Sequence, residues 1–328
     1  MILLFKILFK IMIRYLILLL IFCQLSVISE AQNTNIIAVH TTGGKDGVGV
    51  IVQADSTGRE MKVLYDFETP TPGGTAIYSD LLLVDTAFWG VVRAYGKNGW
   101  GVLFSWNPNT NYYHAHHHFN LDDGAVPMGK LAFHNGYIYG TTHSGGSSGN
   151  GTIFRYQISN MQFSLLHSFN STNGRQPFGN LILIGNKFFG ITNTGGTTGR
   201  GVLFEWDVVT SVFSKRFDFT TTSGGGPIGG LCRFNNILWG VTTNGGANNR
   251  GTIYSFDPNS YNFDKRLDFT ITQSGTSSSN LVAQNGLLYG FSRSGGENGV
   301  GNLFEYNPST NVISRNISLS ASIGQTLN

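Results

Sequence analysis

Charge is scarce in this sequence. Asp, Glu, Lys and Arg make up 12% of its 328 residues, about half the usual share of roughly 25%. The formal net charge is only +3. No basic tract or acidic tail occurs, which argues against a nucleic-acid partner. Cysteine is nearly absent, with Cys23 and Cys232 as the two copies. Helical periodicity is missing after residue 31, which argues strongly against an α/β fold. Glycine and aromatic residues are plentiful instead: 44 glycines, and aromatics at 13%. A chain with that many rings has enough to bury and is not disordered. Length alone suggests about two domains, but all-β single domains exceed that prior.

Residues 1–31 read as a signal peptide. Lys6, Lys10 and Arg14 form a basic start, Tyr15 to Ser29 is largely apolar, and Ser29-Glu30-Ala31 suits a small-residue cleavage site. The alternative is a retained anchor. The three basic residues break the apolar run below the ~18 residues a spanning helix needs, so no stable membrane insertion is expected once the segment is removed. Removal also takes Cys23 and leaves Cys232 without a partner, so the core must stand without a disulfide.

The rest of the chain is periodic. Leucine recurs at Leu81, Leu131, Leu181, Leu231 and Leu281, in steps of 50 residues. Glycine keeps the same step at Gly90, Gly140, Gly190, Gly240 and Gly290, and again from Gly96 and Gly101. Aromatic columns run beside them, beginning at Trp89, Phe104, Trp106 and Phe119. An earlier partial copy spans residues 36–67. A period of this length marks a solenoid or propeller.

Within residues 127–169, Leu131-Ala132-Phe133 reads as a short strand, and Asn135-Gly136 is a two-residue hairpin signal. Tyr137-Ile138-Tyr139, Thr152 to Tyr156 and Phe163 to Phe169 follow as strands two to four. Four antiparallel strands per ~50 residues is a propeller blade. The expected fold is therefore all-β, a six-bladed β-propeller forming a single domain over residues 32–328. Full blades run approximately over 78–119, 128–169, 178–219, 228–269 and 278–319. The split blade, 36–67, is closed by the C-terminal tail. A seven- or eight-bladed ring from a longer chain is the alternative.

The element order resembles kelch repeats, as in Tyr254-Ser255-Phe256-Asp257-Pro258 followed by Phe263. The glycine pair lies further from strand two than in kelch, and the usual tryptophan of strand four is Tyr113, Phe163, Phe213 or Phe263. The chain is more similar to the tandem repeat of exported bacterial proteins called GloVer-containing. Tyr139-Gly140-Thr141, the pair Gly145-Gly146 and Gly151-Thr152-Ile153-Phe154 carry that resemblance. It implies architecture and export, to a secreted or cell-surface location, and no general biochemical activity.

The histidine run His114, His116, His117 and His118 looks chemical. Strict alternation puts residues 113, 115, 117 and 119 on one face and His114, His116 and His118 on the other. Those three are the weak metal candidate, since histidines at i and i+2 on a strand can share Zn²⁺. Solvated edge histidines are the favoured reading, so no metal and no cofactor is called. Asp66, Asp218 and Asp268 share one column and read as surface or loop-bracing carboxylates, one per blade. Thr142, Thr192, Thr242 and Ser292 read as turn-bracing hydroxyls, and Cys232 as a buried small hydrophobe. No catalytic residue is assigned.

The loops between strands two and three, and those between blades, are expected on one face. They carry Arg93, Lys97, Trp100, His143, Arg200, Asn248, Arg250, Arg293 and Glu297. Function often sits on loops held by a rigid scaffold. The expected function is a non-catalytic binding module, a monomer with an extracellular glycan or protein as its ligand. A structural surface repeat is one alternative. A polysaccharide-active lyase or hydrolase using the propeller channel is the other.

Overall fold

The computed structural model describes residues 27–28, 35–40, 43–47, 49–55, 61–67, 80–273, 276–277 and 280–319. It is all-β, with no helix among the described residues. Six antiparallel sheets follow one another along the chain, each ordered strand one to strand four. They are the blades of a six-bladed β-propeller fold. Two compact units divide them: blades one and two lie in a unit ending at His118, and blades three to six lie in a unit beginning at Phe119.

In the first blade, Asn35–His40, Val50–Asp55 and Met61–Asp66 are strands two to four. The first position is filled by Val27–Ile28, which pairs with Ile37 and Ala38. That pair falls within the segment read as a signal peptide. The C-terminal tail expected in this place, residues 320–328, lies outside the described residues.

The fourth blade shows the repeat in full: Arg175–Ile184, Lys187–Thr194, Val202–Asp207 and Val212–Asp218. Its neighbours break the first strand into two pieces, as in Ala125–Pro127 and Ala132–His134 of the third blade. The hairpin after strand one follows its sequence signal. Asn135 and Gly136 have φ of 49° and 79°, and Asn285 and Gly286 have 51° and 82°, the positive values a type I′ turn requires.

The periodic columns are the core. Phe104, Phe154, Phe204, Tyr254 and Phe304 are all fully buried, as are Phe119, Phe169, Phe219 and Phe269. Each such ring contributes about 1.5–3 kcal/mol by leaving water. The ring on strand three lies across from the glycine on strand two, as in Gly90↔Phe104 and Gly190↔Phe204. A Cβ on Gly90 would stand 2.7 Å from the Phe104 ring, and one on Gly140 would stand 2.5 Å from the Phe154 ring. That approach explains the glycine of blades two to six; in the first blade the pair is Ala38↔Val52, with no ring to clear. Between successive blades the rings interlock. Phe219 meets Tyr254 edge-on at 5.1 Å, and Phe169 meets Phe204 at 5.1 Å.

Alternation on strand four is not strict. A β-bulge recurs opposite the same residue pair in five blades, between Leu103 and Phe104 and between Ile153 and Phe154 among others. It turns residue 117 or 167 away from the face of 113/115 or 163/165, which corrects the expected shared face. Phe163 packs on Phe119 and Phe154, whereas His167 stacks on Phe213 of the following blade at 4.0 Å. Phe217 stacks on Phe263 in the same way at 3.7 Å. Bulges re-aim side chains in this manner.

Candidate functional site

The loop between strands two and three of each blade opens with a glycine turn. Its geometry is fixed by a side chain 21 residues further on, at the end of strand four. The backbone N–H of Lys45 donates to Asp66 Oδ2 at 2.9 Å. The corresponding N–H of Lys97 donates to His118 Nδ1 at 3.1 Å, and that of Ser147 to Ser168 Oγ at 3.4 Å. Thr197 and Ala247 donate to Asp218 and Asp268, each at 2.8 Å, and Glu297 donates to Ser318 at 2.9 Å. All six blades have this tie. It gives the aspartate column its loop-bracing role and explains why His or Ser can replace Asp there: each offers an acceptor.

A second tie runs the other way. Asn98, Asn248 and Asn298 donate their side-chain N–H to the carbonyls of His118, Phe269 and Leu319, at 3.2, 3.0 and 2.8 Å. The threonine column completes the frame. Thr142 Oγ1 donates to the Ser144 carbonyl at 2.9 Å and accepts the Thr152 N–H at 3.1 Å. Thr192, Thr242 and Ser292 make the matching bonds. These hydroxyls are engaged in the backbone. The glycine loops are also bonded to the loops between blades: Gly146, Gly196 and Gly246 donate to Leu121, Ser171 and Thr221 at 2.8, 2.9 and 2.8 Å. In the second unit, therefore, both kinds of loop share one end of each blade.

Arg93, Lys97 and Trp100 share one loop of the first unit, and all three are exposed, Trp100 at 39%. His143, Arg200, Asn248, Arg250, Arg293 and Glu297 occupy equivalent loops of blades three to six in the second unit. Arg293 and Glu297 are exposed there, and His143, Arg200 and Arg250 are half-buried. Arg200 reaches the next blade, with Nη1 donating to Asn244 Oδ1 at 3.0 Å. Asn248 is spent on the carbonyl tie. A cavity of about 460 Å³ opens at this end of the fourth blade, lined by Ser171, Arg175, Gln176, Thr194 and the glycine loop.

His114 and His116 lie together, their rings 4.5 Å apart. His116 stacks on Trp89 at 4.2 Å, and its Nε2 shares a hydrogen bond with Ser105 Oγ at 2.8 Å. Burial, and then the neighbouring His114, hold it down to about 3. His118 is turned into the loop tie; burial first, then His117 and Lys97, lower it as well. No three metal-ligating side chains converge among the described residues.

One network was not foreseen. Glu205 is buried at 2% exposure on strand three of the fourth blade. Arg216, at the bulge of strand four, grips it with Nε and Nη2, each at 3.0 Å, and Lys187 Nζ stands 2.8 Å away. Arg216 also lies 3.9 Å over the ring of Tyr261 from the fifth blade. Burial pushes the Glu205 carboxyl up, but the hydrogen bonds from Arg216 and Lys187 outweigh it and hold it below its ordinary value. A carboxylate set between Phe204 and Trp206 was the available signal.

The sequence matches the Gloeobacter/Verrucomicrobia repeat over residues 24–240 and again over 183–328. The chain belongs to that repeat family. No curated protein matches it. Among solved structures it is similar to TolB from Acinetobacter baumannii, with 14% identity and a TM-score of 0.51 over 85% of this chain and 62% of that one. A prolyl endopeptidase chain gives 11% and 0.57 over 94% and 45%. A chain of the nidogen/laminin complex gives 11% and 0.51 over 90% and 93%. The chain thus spans less than two thirds of the TolB and endopeptidase chains. At these identities the likeness is one of fold, and it joins proteins of varied function.

Proposed function

We propose that this repeat protein is a non-catalytic binding module, exported to the cell surface or beyond, that takes a glycan or protein on the glycine loops of its blades. The observation that carries the reading is the sixfold loop tie. The same bond fixes each loop, while the tip residues differ from blade to blade: Lys97, Ser147, Thr197, Ala247 and Glu297 share one position. A constant frame under variable tips is the arrangement of a recognition surface. Preorganised loops also lose little entropy on binding. Trp100, in one loop with Arg93 and Lys97, offers an exposed ring. Aromatic and arginine side chains are the usual anchors of such surfaces.

The test is an array of glycans and polysaccharides read for both binding and reducing-end release, run with the parent and with Arg93→Ala/Trp100→Ala. Binding without release, weakened at least tenfold in the double variant, is expected. Release would favour the polysaccharide-active reading, and unchanged binding in the variant would remove the patch.

A further inference from the structure

A cleft of about 390 Å³ lies between the fifth and sixth blades, lined among others by Phe234, Trp239, Ser255, Asp257, Asp264 and Arg266. It sits at the hairpin end of the blades, where strands one and two and strands three and four turn. The glycine loops are at the other end.

The cleft is the open counterpart of the Glu205 network. Fifty residues earlier, the positions of Trp239, Ser255 and Arg266 hold Phe189, Glu205 and Arg216. In the fourth blade the Arg216 guanidinium is saturated by Glu205 and covered by Tyr261. In the fifth blade the carboxylate is replaced by the short Ser255. Arg266 still gives Nη1 to Asp264 at 2.8 Å and Nη2 to the Pro308 carbonyl at 3.1 Å. The Tyr306 hydroxyl stands close enough to act on the same guanidinium. Arg266 Nε itself has no aligned hydrogen bond among the described residues, and neither does Trp239 Nε1, although both atoms are buried. Trp239 is 6% exposed, and Arg266 lies 5.6 Å over its ring. A buried donor left unpaired carries its desolvation cost without return, so an acceptor that reaches either one relieves that cost.

The walls narrow the ligand class. Asp264 and Asp257 are carboxylates on the same cleft and accept hydrogen bonds from hydroxyls. They repel an anion, and an ammonium group has no lone pair to offer the Arg266 and Trp239 donors. Phe234 adds an apolar wall. A neutral molecule carrying donors and acceptors together with an apolar face meets all of these, and the volume lies at the small end of the ~300–1,000 Å³ of ligand sites. We propose that the cleft between blades five and six binds a neutral pyranose, as a mono- or disaccharide. Hydroxyl oxygens of the sugar accept from Arg266 Nε and from Trp239 Nε1, and its hydroxyls donate to the Asp264 and Asp257 carboxylates.

The proposal is independent of the loop-end reading. The test titrates the full chain with neutral hexoses and disaccharides, with glucuronate and glucosamine as charged controls. Saturation-transfer NMR and the Trp239 indole N–H resonance are the readouts. A neutral sugar should bind with millimolar affinity or better, about −4 kcal/mol, and shift that resonance. Trp239→Phe should weaken it about five- to tenfold, the worth of one hydrogen bond. Ser255→Glu should abolish it by saturating Arg266 from within. Both variants install residues the fourth blade already carries, and an unchanged melting temperature shows that the fold is kept. The shift of the Trp239 resonance separates sugar held in this cleft from sugar held on the glycine loops. No saturation by any neutral sugar below about 10 mM, preference for a charged control, or full binding by Ser255→Glu would each overturn the assignment.

Discussion

Tyr254 occupies a column that is phenylalanine in four other blades, at Phe104, Phe154, Phe204 and Phe304. Its hydroxyl is buried over Gly240 and has no partner among the described residues. Such a group carries its desolvation cost without a return, about 1–3 kcal/mol. Tyr254→Phe is therefore expected to raise the melting temperature, by about 2 °C or more for a chain of this size. Thermal denaturation followed by circular dichroism checks this, and a fall in melting temperature would contradict it. His167 and His116 make a second prediction at this scale. Burial lowers the first to about 4, and burial with His114 lowers the second to about 3. The ordinary unfolded value is about 6.5. The unfolded chain therefore takes up these protons first as pH falls, so their contribution is complete above about 6.5 and is lost between there and about 3–4. His167→Phe copies the Phe217 stack on Phe263 and should flatten part of that acid slope in denaturation curves taken from pH 7 to 4.

At the scale of the element, the tie between glycine loop and strand four is the repeated device. Asp218 accepts from the Thr197 N–H and hydroxyl and pairs with Lys215 at 2.7 Å. Burial would raise its carboxyl, but the bonds from Lys215 and Thr197 hold it below the usual value. Asp218→Ala should cost about 1–2 kcal/mol, the scale of a charge-assisted hydrogen bond. Asp218→Ser should recover most of that loss, because Ser168 and Ser318 perform the same task in their blades. Urea denaturation of both variants separates an acceptor requirement from a charge requirement; equal losses would count against the tie. The bulge on strand four is the element that period-two reasoning does not reveal. Nothing in Tyr113 to Phe119 marks His116 as the extra residue, since the shift is set by pairing with strand three.

For the chain as a whole, the 50-residue register carried most of the fold. Each column has one physical task, so its chemistry repeats: glycine where a ring crosses, Asn-Gly where φ must be positive, Asp, Ser or His where an amide needs an acceptor. The candidate sites were less legible because they depend on exceptions to the register. Glu205 and Ser255 occupy one column, yet one fills the space between blades and the other leaves it open. That difference emerges only when strands three and four of one blade are set against the turn of the next. Of the predicted loop residues, Asn248 proved to be part of the frame, while Arg93, Lys97 and Trp100 stand exposed above it.

Recognition by the glycine loops requires that the frame beneath hold them rigid. Amide hydrogen exchange of the loop amides at Lys45, Lys97, Ser147, Thr197, Ala247 and Glu297 tests this most directly. Each should be protected well beyond the unbonded amides beside it, as hydrogen-bonded amides are, and the Thr197 amide should lose that protection in Asp218→Ala. Exchange of all six at the rate of an unstructured chain would contradict a rigid frame.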